Sequence, residues 1–205
     1  MKKLLRFSSY VFSPLLIPVY ATLFYFLVTR NYFYNHEIYL LFIQVLILTL
    51  LLPVSIFYLL RSLGLIRTKM LLHKNERRLP LAFYAVLLLI LLKQSFSGLV
   101  IPELYYFFMG YLISIVFILL LVLFNIKISL HAMGIASLTV FIISISTYYH
   151  ISFLYLIVFF ILISGLVASS RLLANEQTLK GVAAGALAGI VSQTGLWFLW
   201  LIPVL

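Results

Sequence analysis

The stretch from Leu40 to Leu60 reads LLFIQVLILTLLLPVSIFYLL and contains no charged residue. A second uncharged stretch, Phe107–Phe124, reads FFMGYLISIVFILLLVLF. A helix needs about 20 apolar residues to cross a hydrocarbon core about 30 Å thick. The strands of a membrane barrel would instead alternate apolar and polar residues, which these stretches do not. Both stretches therefore predict membrane-spanning helices.

The composition of the whole chain agrees with this prediction. Hydrophobic residues make up 65% of the sequence, charged residues 9%, and the mean hydropathy is +1.24. A soluble globular protein has about 25% charged residues, so this chain has too few charges to build a water-facing surface. We therefore expect an all-α, polytopic transmembrane helix bundle.

Seven apolar segments with short connections are recognisable along the chain. They lie at roughly 10–29, 38–60, 81–98, 104–124, 130–147, 151–169 and 179–203. Segment 81–98 is the weakest crossing because it carries Lys93 and Gln94 near one end. No repeat or linker divides the sequence, so residues 1–205 are expected to form a single integral membrane domain of six to seven helices.

The chain begins with MKKLLRF, a basic start that is also typical of signal peptides. The apolar stretch that follows, Val11–Val28, is long, contains Pro14 and Pro18, and shows no clear cleavage site. We therefore interpret it as a retained first helix. The chain has no cysteine, which excludes disulfides and thiolate metal sites.

The basic residues are distributed unevenly between the two predicted sides. Seven crossings place the N-terminus and the loops at 61–80, 125–129 and 170–178 together. Twelve lysines and arginines lie on that side, and only Arg30 and Lys93 lie on the other. The positive-inside rule assigns the basic side to the cytoplasm. Topology and attraction to anionic lipids explain such an excess, and so does a phosphate-binding site.

Three polar spots are predicted on the basic side. Lys74–Pro80 (KNERRLP) brings three cations and Glu76 to the membrane surface just before a helix. Asn125–Gly134 (NIKISLHAMG) places Lys127, Ser129 and His131 where one helix ends and the next begins, and a helix N-terminus suits an anion. An ordinary basic flank and a histidine that merely caps a helix are the alternatives.

The third spot is Ala168–Gly189 (ASSRLLANEQTLKGVAAGALAG), in which Arg171 ends one apolar segment. Charges at the membrane edge are costly, so each is a functional candidate. The small residues from Gly181 to Gly189 are typical of closely packed helices, and we interpret them as structural.

Taken in this order, the three spots resemble the motifs of the type 2 phosphatidic acid phosphatase superfamily, and in particular a divergent bacterial branch of it. Arg77–Pro80 (RRLP), with Lys74, stands where the family has a lysine and an Arg-Pro pair that bind phosphate. Ile128–His131 (ISLH) stands where the family has Pro-Ser-Gly-His, whose histidine protonates the leaving group. Ser170-Arg171 matches the start of the third motif.

The resemblance assigns roles to particular residues. Phosphate binding falls to Lys74, Arg77, Arg78, Lys127, Ser129 and Arg171. His131 occupies the acid position. The family's nucleophilic histidine is replaced by Gln177, and the carboxylate that orients it is replaced by Gly181. A side-chain amide is a poor nucleophile, and an activated nucleophile needs a partner beside it. His73 and His150 would be substitutes only if the fold brought them close.

Three hypotheses about function follow. The first is a phosphatase-like protein without the usual histidine chemistry, which binds a lipid phosphate or polyprenyl phosphate or serves as a subunit of a membrane complex. The second is an active lipid phosphate or pyrophosphate phosphatase with a displaced base. The third is a structural or transport subunit with no phosphate role.

Membrane lipids, and for some of these functions a membrane protein, are the expected partners. We expect no cofactor, metal or nucleic acid. The expected location is a bacterial cytoplasmic membrane. The resemblance implies a site on the outer face, whereas the charge distribution favours the cytoplasmic face.

Overall fold

The computed structural model describes residues 10–65, 75–96, 101–174 and 177–201, and these residues are almost entirely helical. No strand occurs among them. The prediction of an all-α fold is therefore confirmed. Lys74 and His73, two of the sequence candidates, lie outside the described residues.

The helices are numbered in chain order. They are α1 (Ile17–Thr29), α2 (Asn35–Leu46), α3 (Leu52–Ser62), α4 (Arg78–Ser95), α5 (Pro102–Leu123), α6 (Leu130–Tyr148), α7 (Leu154–Leu173) and α8 (Leu179–Leu201). A π-helical turn, Ile47–Leu51, joins α2 to α3, so residues 35–62 form one helical span of 28 residues. This span and the helices α4 to α8 are the six in the described chain that are long and apolar enough to cross a bilayer. The weakest predicted crossing, now α4, is among them.

Helix α1 is shorter than the sequence predicts. It begins at Ile17 and has 13 residues, which corresponds to about 20 Å. Ser13 is not helical because a residue that precedes proline, here Pro14, disfavours the helical conformation. The Tyr111 hydroxyl, near the middle of α5, donates to the Pro14 carbonyl at 2.6 Å. The turn before α1 therefore lies deep in the bundle, and no single continuous helix covers residues 11–28.

The six long spans alternate in direction, which gives the bundle two ends. At one end, called the site end, the Arg78 guanidinium donates to the Asn125 side-chain oxygen at 3.3 Å, and the Ser129 amide donates to the Gly181 carbonyl at 3.0 Å. At the opposite end, Glu103 joins the starts and ends of three helices. The described cations at the site end are Arg61, Arg77, Arg78, Lys127, Arg171 and Lys180, and those at the opposite end are Arg30 and Lys93.

Glycines allow α8 to lie directly against the start of α6. A Cβ added to Gly181 would lie 2.6 Å from the carbonyl oxygen of Lys127, and one added to Gly185 would overlap the carbonyl oxygen of Ser129. Gly189, one turn later, is equally crowded. The predicted close packing is confirmed. It also holds the loop before α6 in place, and that loop forms one wall of the candidate site.

Candidate functional site

A cavity of about 380 Å³ opens at the site end of the bundle. The side chains that form its polar wall come from the residues before α4, the start of α6, the end of α7 and the residues before α8. They are Arg77, Ser129, His131, Arg171 and Gln177. Each belongs to one of the three polar spots in the sequence, so the fold brings members of all three spots to one cavity.

His131 occupies this wall because α6 begins just before it. Ser129 is the N-cap of α6, and its hydroxyl accepts a hydrogen bond from the Ala132 amide at 3.3 Å. This capping bond satisfies one of the amides that a helix start leaves free. His131 is then the second helical residue, at the positive end of the helix dipole, where an anion is favoured.

Arg171 faces His131 from the last turn of α7. Its Nη2 contacts the Nε2 of His131. A guanidinium group has only donors, so the histidine nitrogen is the acceptor in this contact. Arg171 is partly buried, and Ser170 beside it is buried. The pair places two groups that interact well with a phosphate oxygen on one side of the cavity.

Arg77 and Gln177 approach the same wall from two other directions. Arg77 ends a short 3₁₀ turn, residues 75–77, that leads into α4. Its Nη1 and the Nε2 of Gln177 both lie 3.4 Å from the carbonyl oxygen of Ile128. Ile128 immediately precedes Ser129, so the guanidinium of Arg77 and the amide of Gln177 converge on the loop that carries the α6 cap.

Arg78 is turned away from the cavity. Its Nη2 donates to the Leu123 carbonyl at 3.4 Å and to the Asn125 side chain at 3.3 Å. These acceptors are at the C-terminal end of α5, where Asn125 has a φ of 62°. A cation is favoured at that end of a helix. Arg78 therefore caps α5, and neither it nor Lys127 is among the residues that line the cavity.

Gly181 has a structural reason to be glycine. Because its missing Cβ would lie 2.6 Å from the Lys127 carbonyl oxygen, a carboxylate side chain cannot occupy this position unless α8 moves away from α6. Among the described residues that line the cavity none is an acid, and His131 is the one histidine. The described part of the lining therefore contains no pair of a nucleophile and an orienting carboxylate.

The remainder of the cavity is apolar, and the sequence analysis did not anticipate it. Residues of α3 and α4 form most of this part, together with the turn before α1. Among them are Pro53, Phe57, Leu81 and Tyr84. The only sequence signal was a proline inside an otherwise uniform apolar stretch, which does not indicate which way the helix faces.

A separate buried polar cluster lies at the opposite end. Glu103, near the start of α5, is only 5% exposed. It accepts hydrogen bonds from the Tyr25 hydroxyl at 3.0 Å and from the Tyr149 hydroxyl at 2.8 Å. These bonds tie α1, α5 and the end of α6 together. His150 directly follows Tyr149 in the chain, so it also lies at this end and does not line the cavity.

No known protein family, curated protein or solved structure matches this chain significantly.

Proposed function

We propose that this integral membrane protein binds the phosphate group of a lipid phosphate or polyprenyl phosphate in the cavity and does not cleave it by the usual histidine chemistry. One observation carries the proposal. Arg77, His131 and Arg171, which are far apart in sequence, lie on one wall of a cavity whose remaining walls are apolar.

The charges on that wall favour an anionic ligand. Arg77 and Arg171 bring two positive charges to the wall of one cavity, and charged groups that line a cavity in a membrane protein commonly mark a ligand site. A guanidinium donates two hydrogen bonds in a geometry that matches phosphate oxygens. Arg77 and Arg171 together therefore suit a phosphate monoester or pyrophosphate better than a neutral head group.

The apolar walls favour a ligand that also has a hydrocarbon chain. Pro53, Phe57 and Leu81 line the cavity below the cationic wall. These side chains are as apolar as the lipid tails of a bilayer, so a hydrocarbon chain can lie against them without a cost in solvation. A lipid whose phosphate contacts the arginines would extend its chain along these residues, whereas a free phosphate ion would leave them unused.

The described lining of the cavity offers no suitable nucleophile, which favours binding over hydrolysis. Gln177 offers an amide, whose lone pairs are delocalised, and its Nε2 is directed to the Ile128 carbonyl. Loss of a covalent nucleophile lowers a rate by several orders of magnitude. The resemblance to the lipid phosphatases thus supports a retained phosphate site with altered chemistry.

Binding and phosphate release should be measured on the same protein in lipid nanodiscs. The probes are dioleoyl phosphatidic acid and a polyprenyl phosphate, and the test variant is Arg171→Ala. Lys180→Ala is the matched control, because Lys180 is an exposed cation at the same end that does not line the cavity. Loss of a charge-assisted hydrogen bond costs about 1.5–3 kcal/mol, so we expect binding to weaken at least tenfold in Arg171→Ala alone.

The outcomes separate the three hypotheses. Phosphate release by the wild type that disappears in Arg171→Ala would replace the binding proposal with an active phosphatase. Binding without release supports the proposal. If the wild type instead binds the probes as weakly as Arg171→Ala and Lys180→Ala do, a structural or transport role is the better description.

A further inference from the structure

The helical span over residues 35–62 changes its hydrogen-bonding pattern at its centre. The Leu52 amide donates to the carbonyl of Ile47, five residues earlier, instead of four. The five residues Ile47–Leu51 form a π-helical turn. Such turns are rare within α-helices and are frequent where a helix must bend or move for function.

Pro53 explains why the pattern changes here. Proline has no amide hydrogen, and its ring crowds the carbonyl four residues earlier. That carbonyl belongs to Thr49, which therefore receives no backbone hydrogen bond from the residue four positions later. The backbone on either side of Pro53 is therefore joined by fewer regular hydrogen bonds than the rest of the span.

The π turn separates a half of the span that joins the main hydrophobic core from a half that does not. Leu41 and Val45, before the turn, belong to that core. After it, Leu60 is the only buried residue of α3, and no residue of α3 belongs to the main hydrophobic core of the described chain. Helix α2 packs on α1 and α4, whereas α3 packs chiefly on α4. The first half is thus anchored, and the second half is held mainly by one neighbour.

Every residue of the span that lines the cavity follows the π turn. They are Pro53, Val54, Ile56, Phe57 and Tyr58. Tyr58 on α3 and Phe83 on α4 both line the cavity and are exposed on the outer surface of the bundle, at 61% and 44%. The cavity therefore reaches the lipid-facing surface between α3 and α4.

We propose that α3 is a movable wall that swings about the π turn at Ile47–Leu51 and opens the cavity sideways to the bilayer between α3 and α4. This inference rests on the proposed function for the identity of the ligand, a lipid phosphate that enters from the membrane. The motion itself is independent of that function. It follows from the interrupted hydrogen bonding at Pro53, the absence of α3 from the main hydrophobic core of the described chain and the position of the cavity.

Distances between spin labels test the motion directly, and the cysteine-free chain allows labels at chosen sites. The test pair is Leu59→Cys on α3 with Leu179→Cys at the start of α8. The control pair is Leu40→Cys on α2 with the same Leu179→Cys. All three side chains are exposed. Pulsed electron paramagnetic resonance would be recorded in phosphatidylcholine nanodiscs, with and without dioleoyl phosphatidic acid.

We expect the test pair to show a broader distance distribution than the control pair, with a component at longer distance. Phosphatidic acid should shift the distances of the test pair toward the shorter component and leave those of the control pair unchanged. Pro53→Ala restores an amide donor after the turn. This variant should narrow the distance distribution of the test pair even without the ligand.

Two results would overturn the movable wall. In the first, the distance distribution of the test pair is as narrow as that of the control pair. It also does not change with phosphatidic acid, although a titration shows that the lipid binds. In the second, the test pair has a broad distance distribution that Pro53→Ala leaves unchanged. If the test pair has a broad distance distribution that Pro53→Ala narrows, the hinge is supported. If the same protein does not bind phosphatidic acid, the proposed function is contradicted.

Discussion

Two adjacent arginines differ in what their side chains do. Arg77 ends the 3₁₀ turn and reaches the wall of the cavity, whereas Arg78 begins α4 and donates to the end of α5. One residue further along the chain is enough to redirect the side chain, because successive residues of a helical turn point about 100° apart. We therefore propose that Arg77 binds the ligand, whereas the hydrogen bonds of Arg78 stabilise the end of α5.

This difference predicts opposite effects for two matched substitutions. Arg77→Gln should weaken binding of phosphatidic acid about tenfold, since it removes one charge-assisted interaction. Arg78→Gln should leave binding nearly unchanged and lower the free energy of unfolding by up to about 1 kcal/mol, the usual contribution of an exposed cation at a helix C-terminus. A lipid-binding titration and a thermal unfolding curve on both variants check this. Equal losses of binding would contradict the separate roles.

At the scale of the helices, the tight contact between α6 and α8 determines where the site lies. The start of α6 carries Ser129 and His131, and the glycines of α8 bring that start within backbone contact. At the opposite end, the Glu103 hydrogen bonds to Tyr25 and Tyr149 hold the same bundle together. These contacts hold α1, α5, α6 and α8 together, and none of these contacts involves α3.

The glycine contact leads to a prediction with an internal control. Gly185→Ala places a Cβ against the Ser129 carbonyl, so α8 must shift, and we expect the free energy of unfolding to fall by about 1–3 kcal/mol. Lipid binding should weaken as well, because the loop before α6 moves with α8. Gly195→Ala on the same helix has open space around its Cβ, and should be neutral or stabilising by about 0.5–1 kcal/mol.

Unfolding in detergent and the lipid-binding titration, applied to both glycine variants, provide the measurement. If Gly185→Ala proved as stable as Gly195→Ala, the close approach of α6 and α8 would be wrong. The same crowding at Gly181 means that an aspartate at that position should destabilise the bundle and should not restore phosphatase activity.

The helices were predictable because the bilayer sets their length, and the apolar segments at 81–98 and 130–147 match α4 and α6 within about three residues. The start of α1 was not predictable, because a run of apolar residues with two prolines does not indicate where the helix begins. The π turn was also hidden, since no charged residue interrupts Leu40–Leu60. Motif order suggested which polar residues meet, but the different directions of Arg77 and Arg78 depend on side-chain geometry that spacing alone does not contain.

Across the whole molecule, the basic end and the candidate site coincide. The described cations at the site end outnumber those at the opposite end even when Arg77 and Arg171 are left out of the count. The remaining four at the site end are Arg61, Arg78, Lys127 and Lys180, and the two at the opposite end are Arg30 and Lys93. The positive-inside rule depends on such loop charges and not on the net charge of the protein. We therefore expect a cytoplasmic site, whereas a lipid-phosphatase-like arrangement of motifs, which the sequence alone suggests, would imply an outer one.

This conflict is decided by labelling single cysteines in intact cells that express the cysteine-free chain. Ser62→Cys lies at the site end and Ser152→Cys at the opposite end, and both serines are exposed. Three crossings, α4, α5 and α6, separate them, so they must lie on different sides of the membrane. A membrane-impermeant maleimide should label Ser152→Cys at once and Ser62→Cys only after permeabilisation. The reverse pattern would place the cavity outside, where a lipid phosphate would have to come from the outer leaflet. Labelling of both cysteines in intact cells would contradict an odd number of crossings between them.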